Sequence, residues 1–108
     1  ERLRYLEANN IPLVAYSCLA KGGYENAERL PDELVAGERL AVLQNMAKEK
    51  NVTSSALAVA WMVNLHRCPG FPQVIPLFGS SRVDHFVSNL LGADLSLSDA
   101  ELQLLNNA

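Results

Sequence analysis

The sequence predicts an α/β protein in which helices alternate with parallel strands. Two short apolar runs, at residues 12–16 and 74–78, are bounded by turn-forming residues and are typical of strands. Helical patterns separate them, and this alternation is typical of strands that lie between helices in a parallel sheet. The predicted order is helix, strand, long loop, two helices, strand and two helices.

The N-terminal third of the chain is predicted to contain one helix, one strand and one loop. The first eight residues have helical periodicity, and the pair Asn9 and Asn10 is typical of a helix end. Residues 12–16 are predicted to form the strand, because Pro12 is tolerated at the start of a strand. Residues 17–37 are rich in glycine, proline and polar side chains without a sustained period, so they are expected to form a loop.

Two helices are predicted in the middle of the chain. Residues 35–50 have an apolar face and a charged face, and Asn51 follows them as a stop. Thr53 is expected to cap a second helix, in which residues 56–63 are apolar on every side. Such a helix must be buried all round, so Trp61 is interpreted as a core residue rather than a cofactor contact.

The connection before the second strand is rich in turn-forming residues. His66 and Cys68 suggest a nucleophilic pair, but no carboxylate orients them, so a solvated loop histidine is favoured. After the helix that follows the second strand, the chain is expected to turn at Gly92. Ser98 and Glu101 then have the spacing of a capping box at the start of the last helix.

Composition excludes several classes of protein. The 108 residues are 49% hydrophobic and 19% charged, which is ordinary for at most one soluble domain. A net charge of -3 without any cluster of Lys or Arg argues against nucleic acid or a membrane surface as a partner. Cys18 and Cys68 form no metal or redox motif, so no metal is predicted and a cytoplasmic location is expected.

Two strands are too few for an independent sheet, because nothing continues the ladder or covers both faces. The sequence begins at Glu1, without an initiator Met and inside a helical pattern. We therefore expect a piece of a longer protein. Either missing sequence supplies the other strands or the chain associates with another copy of itself.

The most informative stretch is residues 74–90, VIPLFGSSRVDHFVSNL. The apolar run stops at Gly79, two serines follow, and a helical pattern begins near Arg82. At such a junction glycine permits close approach of a ligand, and the serine hydroxyls and the free N–H groups of the helix attract anions. The alternative is an ordinary strand-to-helix turn in which Ser81 is the N-cap.

Three stretches resemble motifs of the aldo-keto reductase family and occur in the family's order. AYSCLAKGG, residues 15–23, resembles the run Ala, aromatic, Ser, Pro, Leu; TSSALAVAW, residues 53–61, resembles the helix-opening pattern that ends in Ala-Trp. Residues 74–90 resemble the NADP-binding signature, in which an Asn follows the Gly by ten residues, as Asn89 follows Gly79.

The resemblance implies a fold and a set of cofactor contacts. The family has a (β/α)8 TIM barrel, of which residues 1–108 would be the C-terminal part of the single domain, incomplete as a barrel on its own. Tyr16 would stack on the nicotinamide ring of NADP(H). The other implied contacts are Ser17, Leu19 and Lys21 along the pyrophosphate, Gly79, Ser80 and Ser81 near the adenosine 2′-phosphate, and His85, Ser88 and Asn89 at the adenosine end.

Three positions depart from the family's pattern. Cys18 replaces the usual Pro, His85 stands where Arg or Gln is common, and Ser88 replaces a common Glu. Loss of an Arg weakens pairing with a 2′-phosphate, although Arg82 is near enough to substitute. The expected cofactor is therefore NADP(H), with NAD(H) as the alternative.

The family's catalytic Asp, Tyr, Lys and His belong to the first half of the barrel, so no residue of this chain is assigned a catalytic role. The isolated chain is expected to be inactive. The resemblance implies that the full-length protein reduces a small aldehyde or ketone to an alcohol by hydride transfer. The alternative is a cofactor-sensing regulatory subunit of the same fold, similar to the potassium-channel beta subunit.

Overall fold

The computed structural model describes residues 2–15, 19, 24, 38–79 and 82–107. Within these residues the predicted order of helices and strands is confirmed. No helix in this part of the chain is both long and apolar enough to cross a membrane. The elements are α1 (Arg2–Ala8), β1 (Leu13–Ala15), α2 (Glu38–Glu49), α3 (Ser54–Asn64), a 3-10 turn (Leu65–Arg67), β2 (Val74–Pro76), α4 (Val83–Ala93) and α5 (Asp99–Asn107).

The two strands pair in parallel, as the sequence predicted. Leu13 lies opposite Val74, and the backbone N–H of Leu77 extends the ladder by donating to the carbonyl of Ala15 over 2.9 Å. Val74 is buried against α3, whereas Ile75 and its neighbour across the ladder, Val14, are exposed. Because side chains alternate between the faces of a strand, one face of this sheet is covered by helices and the other is open.

α3 is the centre of the hydrophobic core. Its side chains are buried on nearly every side, and Leu57 and Val59 have no exposed surface. The predicted N-cap is confirmed, because the N–H of Ala56 donates to Thr53 Oγ1 over 3.0 Å. The all-round burial inferred from the apolar sequence of this helix is also confirmed.

α5 packs on α2 and α3 and is held by polar contacts as well as by the buried Leu102. The predicted capping box is present: the N–H of Ser98 donates to Glu101 Oε1 over 2.9 Å, and the N–H of Glu101 donates to Ser98 Oγ over 3.1 Å. The indole N–H of Trp61 donates to Asn106 Oδ1 over 2.8 Å.

The backbone confirms that the first two helices end at asparagine residues, as predicted. Asn10 and Asn51 have φ values of 54° and 58°, which is the left-handed conformation common just after a helix. His66 lies in the 3-10 turn rather than in an irregular loop. It is exposed, as expected, and its Nδ1 lies 2.8 Å from the carbonyl oxygen of Val63.

The expected turn at Gly92 is wrong. α4 continues through Gly92 to Ala93, and Gly92 is buried against the backbone of α3. A Cβ atom at this position would lie 2.2 Å from the carbonyl oxygen of Ala56. The glycine therefore permits close approach of two helices, a use that the sequence of α4 alone does not distinguish from a turn.

Candidate functional site

The candidate site lies where the chain leaves the C-terminal ends of the two strands. Because β1 and β2 are parallel, the residues after Ala15 and those after Pro76 emerge at the same edge of the sheet. Ligands of α/β sheets bind at this edge. Five of the predicted site residues lie outside the described part of the chain: Tyr16, Ser17, Lys21, Ser80 and Ser81.

Gly79 lies in open space at this edge. No heavy atom of the described residues stands within 4 Å of the position that a Cβ atom would occupy, and Gly79 is exposed. Neither packing nor a left-handed backbone conformation therefore explains the glycine. What the position offers is room for another molecule to approach the backbone.

The N-cap of α4 is Arg82, whose side chain makes no capping hydrogen bond. The alternative interpretation, in which Ser81 caps this helix, concerns a residue outside the described part of the chain. This 11-residue helix follows β2 in the chain, so the partial positive charge of its N-terminus lies on the connection that leaves the C-terminal end of β2.

An ion pair occupies the first turn of α4. Arg82 Nε donates to Asp84 Oδ1 over 3.2 Å, and Nη2 donates to Oδ2 over 3.0 Å. Slight desolvation acts to raise the pKa of Asp84, but the hydrogen bond and the charge of Arg82 outweigh it and hold that pKa below its ordinary value. The cation that was expected to replace the family's Arg is therefore already in contact with a carboxylate.

His85, Ser88 and Asn89 lie on one face of α4, as their spacing predicted. His85 is exposed, and Ser88 is half-buried with its Oγ 3.4 Å from Thr53 Oγ1. Asn89 is only 7% exposed, yet its side-chain amide makes no hydrogen bond within the described residues. None of its polar atoms is sealed from solvent without a partner, so the amide remains available to a ligand.

Leu19 and two aromatic side chains complete the described part of this edge. Leu19 is half-buried and packs against the core cluster formed by α3 and β2. Phe78 and Phe86 have ring centroids 5.8 Å apart at an angle of 51°, so they connect the end of β2 to α4 across the turn that contains Gly79. Sequence analysis missed this aromatic pair, because both residues fit ordinary strand and helix patterns.

Among the clefts lined by described residues, one lies next to the candidate site and another extends away from it. One of about 580 Å³ lies between α3 and α4 and is lined by Thr53 and Ser88, next to the face that carries Asn89. A cleft of about 690 Å³ is lined by Pro12 and Gln73, which precede the strands, and by all of β2, so it extends along β2 from the opposite end of the sheet.

Comparison with known proteins gives a consistent result. The family model described as "Aldo/keto reductase family" matches residues 1–108. An aryl-alcohol dehydrogenase [NADP(+)] of Phanerodontia chrysosporium is 35% identical over 68 residues, which are 60% of this chain and 16% of that protein. The aldo-keto reductase yakc [NADP(+)] of Schizosaccharomyces pombe is 25% identical over 118 residues, covering 93% of this chain and 33% of that protein.

A solved structure of a thermostable aldo-keto reductase in complex with the inhibitor epalrestat matches with a TM-score of 0.73 and 26% identity. The match covers 97% of this chain and 32% of that one, so the chain spans about a third or less of the length of the proteins it resembles. The predicted fold class, part of a TIM barrel with two parallel strands and an unclosed sheet, is confirmed. Since the family model matches the whole sequence, the chain belongs to the aldo/keto reductase family.

Proposed function

We propose that this chain is the C-terminal, cofactor-binding part of an NADP(H)-dependent aldo-keto reductase that reduces small aldehydes or ketones to alcohols. The observation that carries the proposal is the edge formed by Gly79 and α4, where open space at Gly79 is followed along the chain by a helix N-terminus and by an Asn89 amide that makes no hydrogen bond within the described residues. The names of two relatives specify NADP(+), which supports the same cofactor here.

The described residues fit one end of a dinucleotide. A phosphate gains from the helix N-terminus and from the N–H donors of its first turn, and the missing side chain at Gly79 lets it come close. Asn89 offers both a donor and an acceptor, which suits the edge of an adenine base. His85 lies one helical turn nearer the N-terminus on the same face and would border the same ligand.

The remaining contacts of the proposal follow from the family's motifs. Tyr16, Ser17, Leu19 and Lys21 would line the nicotinamide and pyrophosphate, with Ser80, Ser81 and Arg82 near the adenosine phosphate and Ser88 beside the base. When bound, the dinucleotide supplies the hydride. The part of this chain is to orient the dinucleotide and to keep it at the C-terminal edge of the barrel.

We propose further that residues 1–108 are one portion of a single barrel domain. Val14, Ile75 and Leu77 are exposed on or beside the sheet, and α4 exposes Val83 and Leu91. Further strands and helices of a barrel would cover these apolar surfaces, and the short coverage of the relatives supports this. The proton donor of the reaction and its partners would come from that remaining portion.

Binding and turnover measurements test the proposal. The protein at its natural full length should bind NADP⁺ in titration calorimetry and should oxidise NADPH when an aromatic or aliphatic aldehyde is added. The 108-residue chain alone should show no carbonyl-dependent oxidation of NADPH. Turnover by the isolated chain would overturn the assignment of the proton donor to another segment. Binding without turnover by the full-length protein would favour the regulatory-subunit alternative.

A further inference from the structure

The ion pair in the first turn of α4 has a consequence for which dinucleotide the site prefers. Arg82 is the nearest arginine to the Gly79 corner along the chain, and both of its facing nitrogens contact the carboxylate of Asp84. A 2′-phosphate that approaches this corner meets a guanidinium already in contact with an anion. A ribose with a free 2′-hydroxyl does not need that guanidinium.

We propose that Asp84 is a specificity-determining residue that lowers the preference of this site for a 2′-phosphorylated dinucleotide by holding the guanidinium of Arg82. The proposal rests on the proposed function, since it concerns the same cofactor site. It assigns to Asp84 a role that none of the family motifs in this sequence suggested. Asp84 acts through Arg82 and is therefore a positioning residue.

General chemistry supports opposite roles for the two side chains. In dinucleotide sites an acidic residue favours the ribose with free hydroxyls, and a nearby Arg accommodates the 2′-phosphate. Here both types of residue lie two positions apart and contact each other. Guanidinium binds carboxylate and phosphate through the same two-pronged geometry, so the two anions compete for one set of donors.

The expected effect is modest because the pair is exposed. The side chains of Arg82 and Asp84 are 65% and 63% exposed, so water and salt screen their interaction. Breaking the pair should remove the carboxylate that competes with the phosphate for the guanidinium of Arg82, without rebuilding the site. We expect the dissociation constant of NAD⁺ divided by that of NADP⁺ to rise by about two- to fivefold, which is a stronger preference for NADP⁺. This range corresponds to the free energy of an exposed ion pair.

The experiment measures that ratio in the protein at its natural full length. The variant is Asp84→Asn, which keeps the size of the side chain and removes its charge. Asp94→Asn is the matched control, because Asp94 is exposed at the other end of the same helix. NAD⁺ serves as an internal reference, since a general loss of folding would weaken both dinucleotides equally. The ratio should rise for Asp84→Asn and stay constant for Asp94→Asn.

The same substitution in a protein without Arg82 distinguishes two effects of Asp84: holding the guanidinium of Arg82, and repelling the phosphate directly. In an Arg82→Met protein, Asp84→Asn should leave the ratio unchanged. An equal rise in that background, or no rise in the wild-type background, would overturn the inference while leaving the proposed cofactor site intact. Failure of the wild-type protein to bind either dinucleotide would overturn the proposed function and this inference together.

Discussion

Two glycines show how differently the helical layer and the strand-end edge are built. At Gly92 a Cβ atom would lie 2.2 Å from the carbonyl oxygen of Ala56, whereas at Gly79 no atom in the described part of the chain stands within 4 Å of the corresponding position. The first glycine lets two helices pack backbone to backbone. The second leaves space that the described chain does not fill. The helical layer around Gly92 is therefore closely packed, whereas the strand-end edge around Gly79 has an open surface.

The largest effect on stability is expected in the packed helical layer, at Gly92. Gly92→Ala should lower the free energy of unfolding by about 3 kcal/mol, because a Cβ atom pressed against a backbone oxygen has no rotamer to escape into. The higher helix propensity of Ala offsets only about 1 kcal/mol of the steric cost. Urea unfolding followed by circular dichroism measures the change.

Gly79→Ala is the matched control for that substitution. It should leave the unfolding midpoint unchanged while weakening binding of NADP⁺, since its space is open to a ligand and not filled by protein. If the two variants unfolded at the same urea concentration, the contrast between a packed and an open glycine would be wrong.

A smaller effect on stability is expected where α5 is held to α3. Trp61→Phe removes the indole N–H that donates to Asn106 Oδ1 over 2.8 Å and leaves that oxygen without its donor. The loss should be about 1 kcal/mol, the typical net value of one hydrogen bond. Thermal unfolding of Trp61→Phe and of Tyr5→Phe, a change at an exposed position, should differ by that amount. Equal melting temperatures would show that the contact contributes nothing.

The packed region was largely predictable from sequence, and particular residues show why. Thr53 caps α3 and Ser98 pairs with Glu101 because capping depends on positions three residues apart, which the sequence displays directly. Gly92 was misassigned as a turn because its reason lies in Ala56, on another helix. Contacts between elements are not encoded in local spacing.

For the candidate site, the sequence offers a predicted position but not the contacts around it. The ten-residue spacing from Gly79 to Asn89 predicts the edge, and the parallel pairing of the two strands confirms only that their carboxyl ends lie on the same side. The bond between Ser88 and Thr53 and the ring contact of Phe78 with Phe86 depend on how α4 lies against α3 and β2. Those contacts require tertiary structure.

Asn89 offers a way to test the open region by itself. Its amide is nearly buried and makes no hydrogen bond within the described residues, so Asn89→Ala should cost little or no stability. If a dinucleotide uses that amide, the dissociation constant of NADP⁺ should rise about fivefold, the equivalent of one hydrogen bond. Asn107→Ala, at an exposed position in α5, is the control. A loss of stability with unchanged affinity would make Asn89 a structural residue.

The smallest expected effect is a pH dependence of stability that arises from the ion pair between Lys50 and Glu101. Lys50 Nζ lies 2.6 Å from Glu101 Oε2, and this hydrogen bond, helped by the backbone N–H of Ser98, lowers the pKa of Glu101 from its ordinary value of 4.5. A carboxyl group whose pKa is lower in the folded state stabilises the protein above the unfolded-state pKa. That stabilisation is lost as the pH falls through the folded-state pKa.

Glu101→Gln isolates this charge, because Gln still accepts the capping hydrogen bond from Ser98. At neutral pH the variant should be less stable by about 0.5 kcal/mol, since the ion pair is partly screened by solvent. The difference from the wild-type protein should shrink as the pH is lowered below 4.5 and should vanish once the wild-type carboxyl is protonated. Adding Lys50→Met to Glu101→Gln should change stability little at neutral pH, whereas an additional loss of the same size would show that Lys50 acts through another partner.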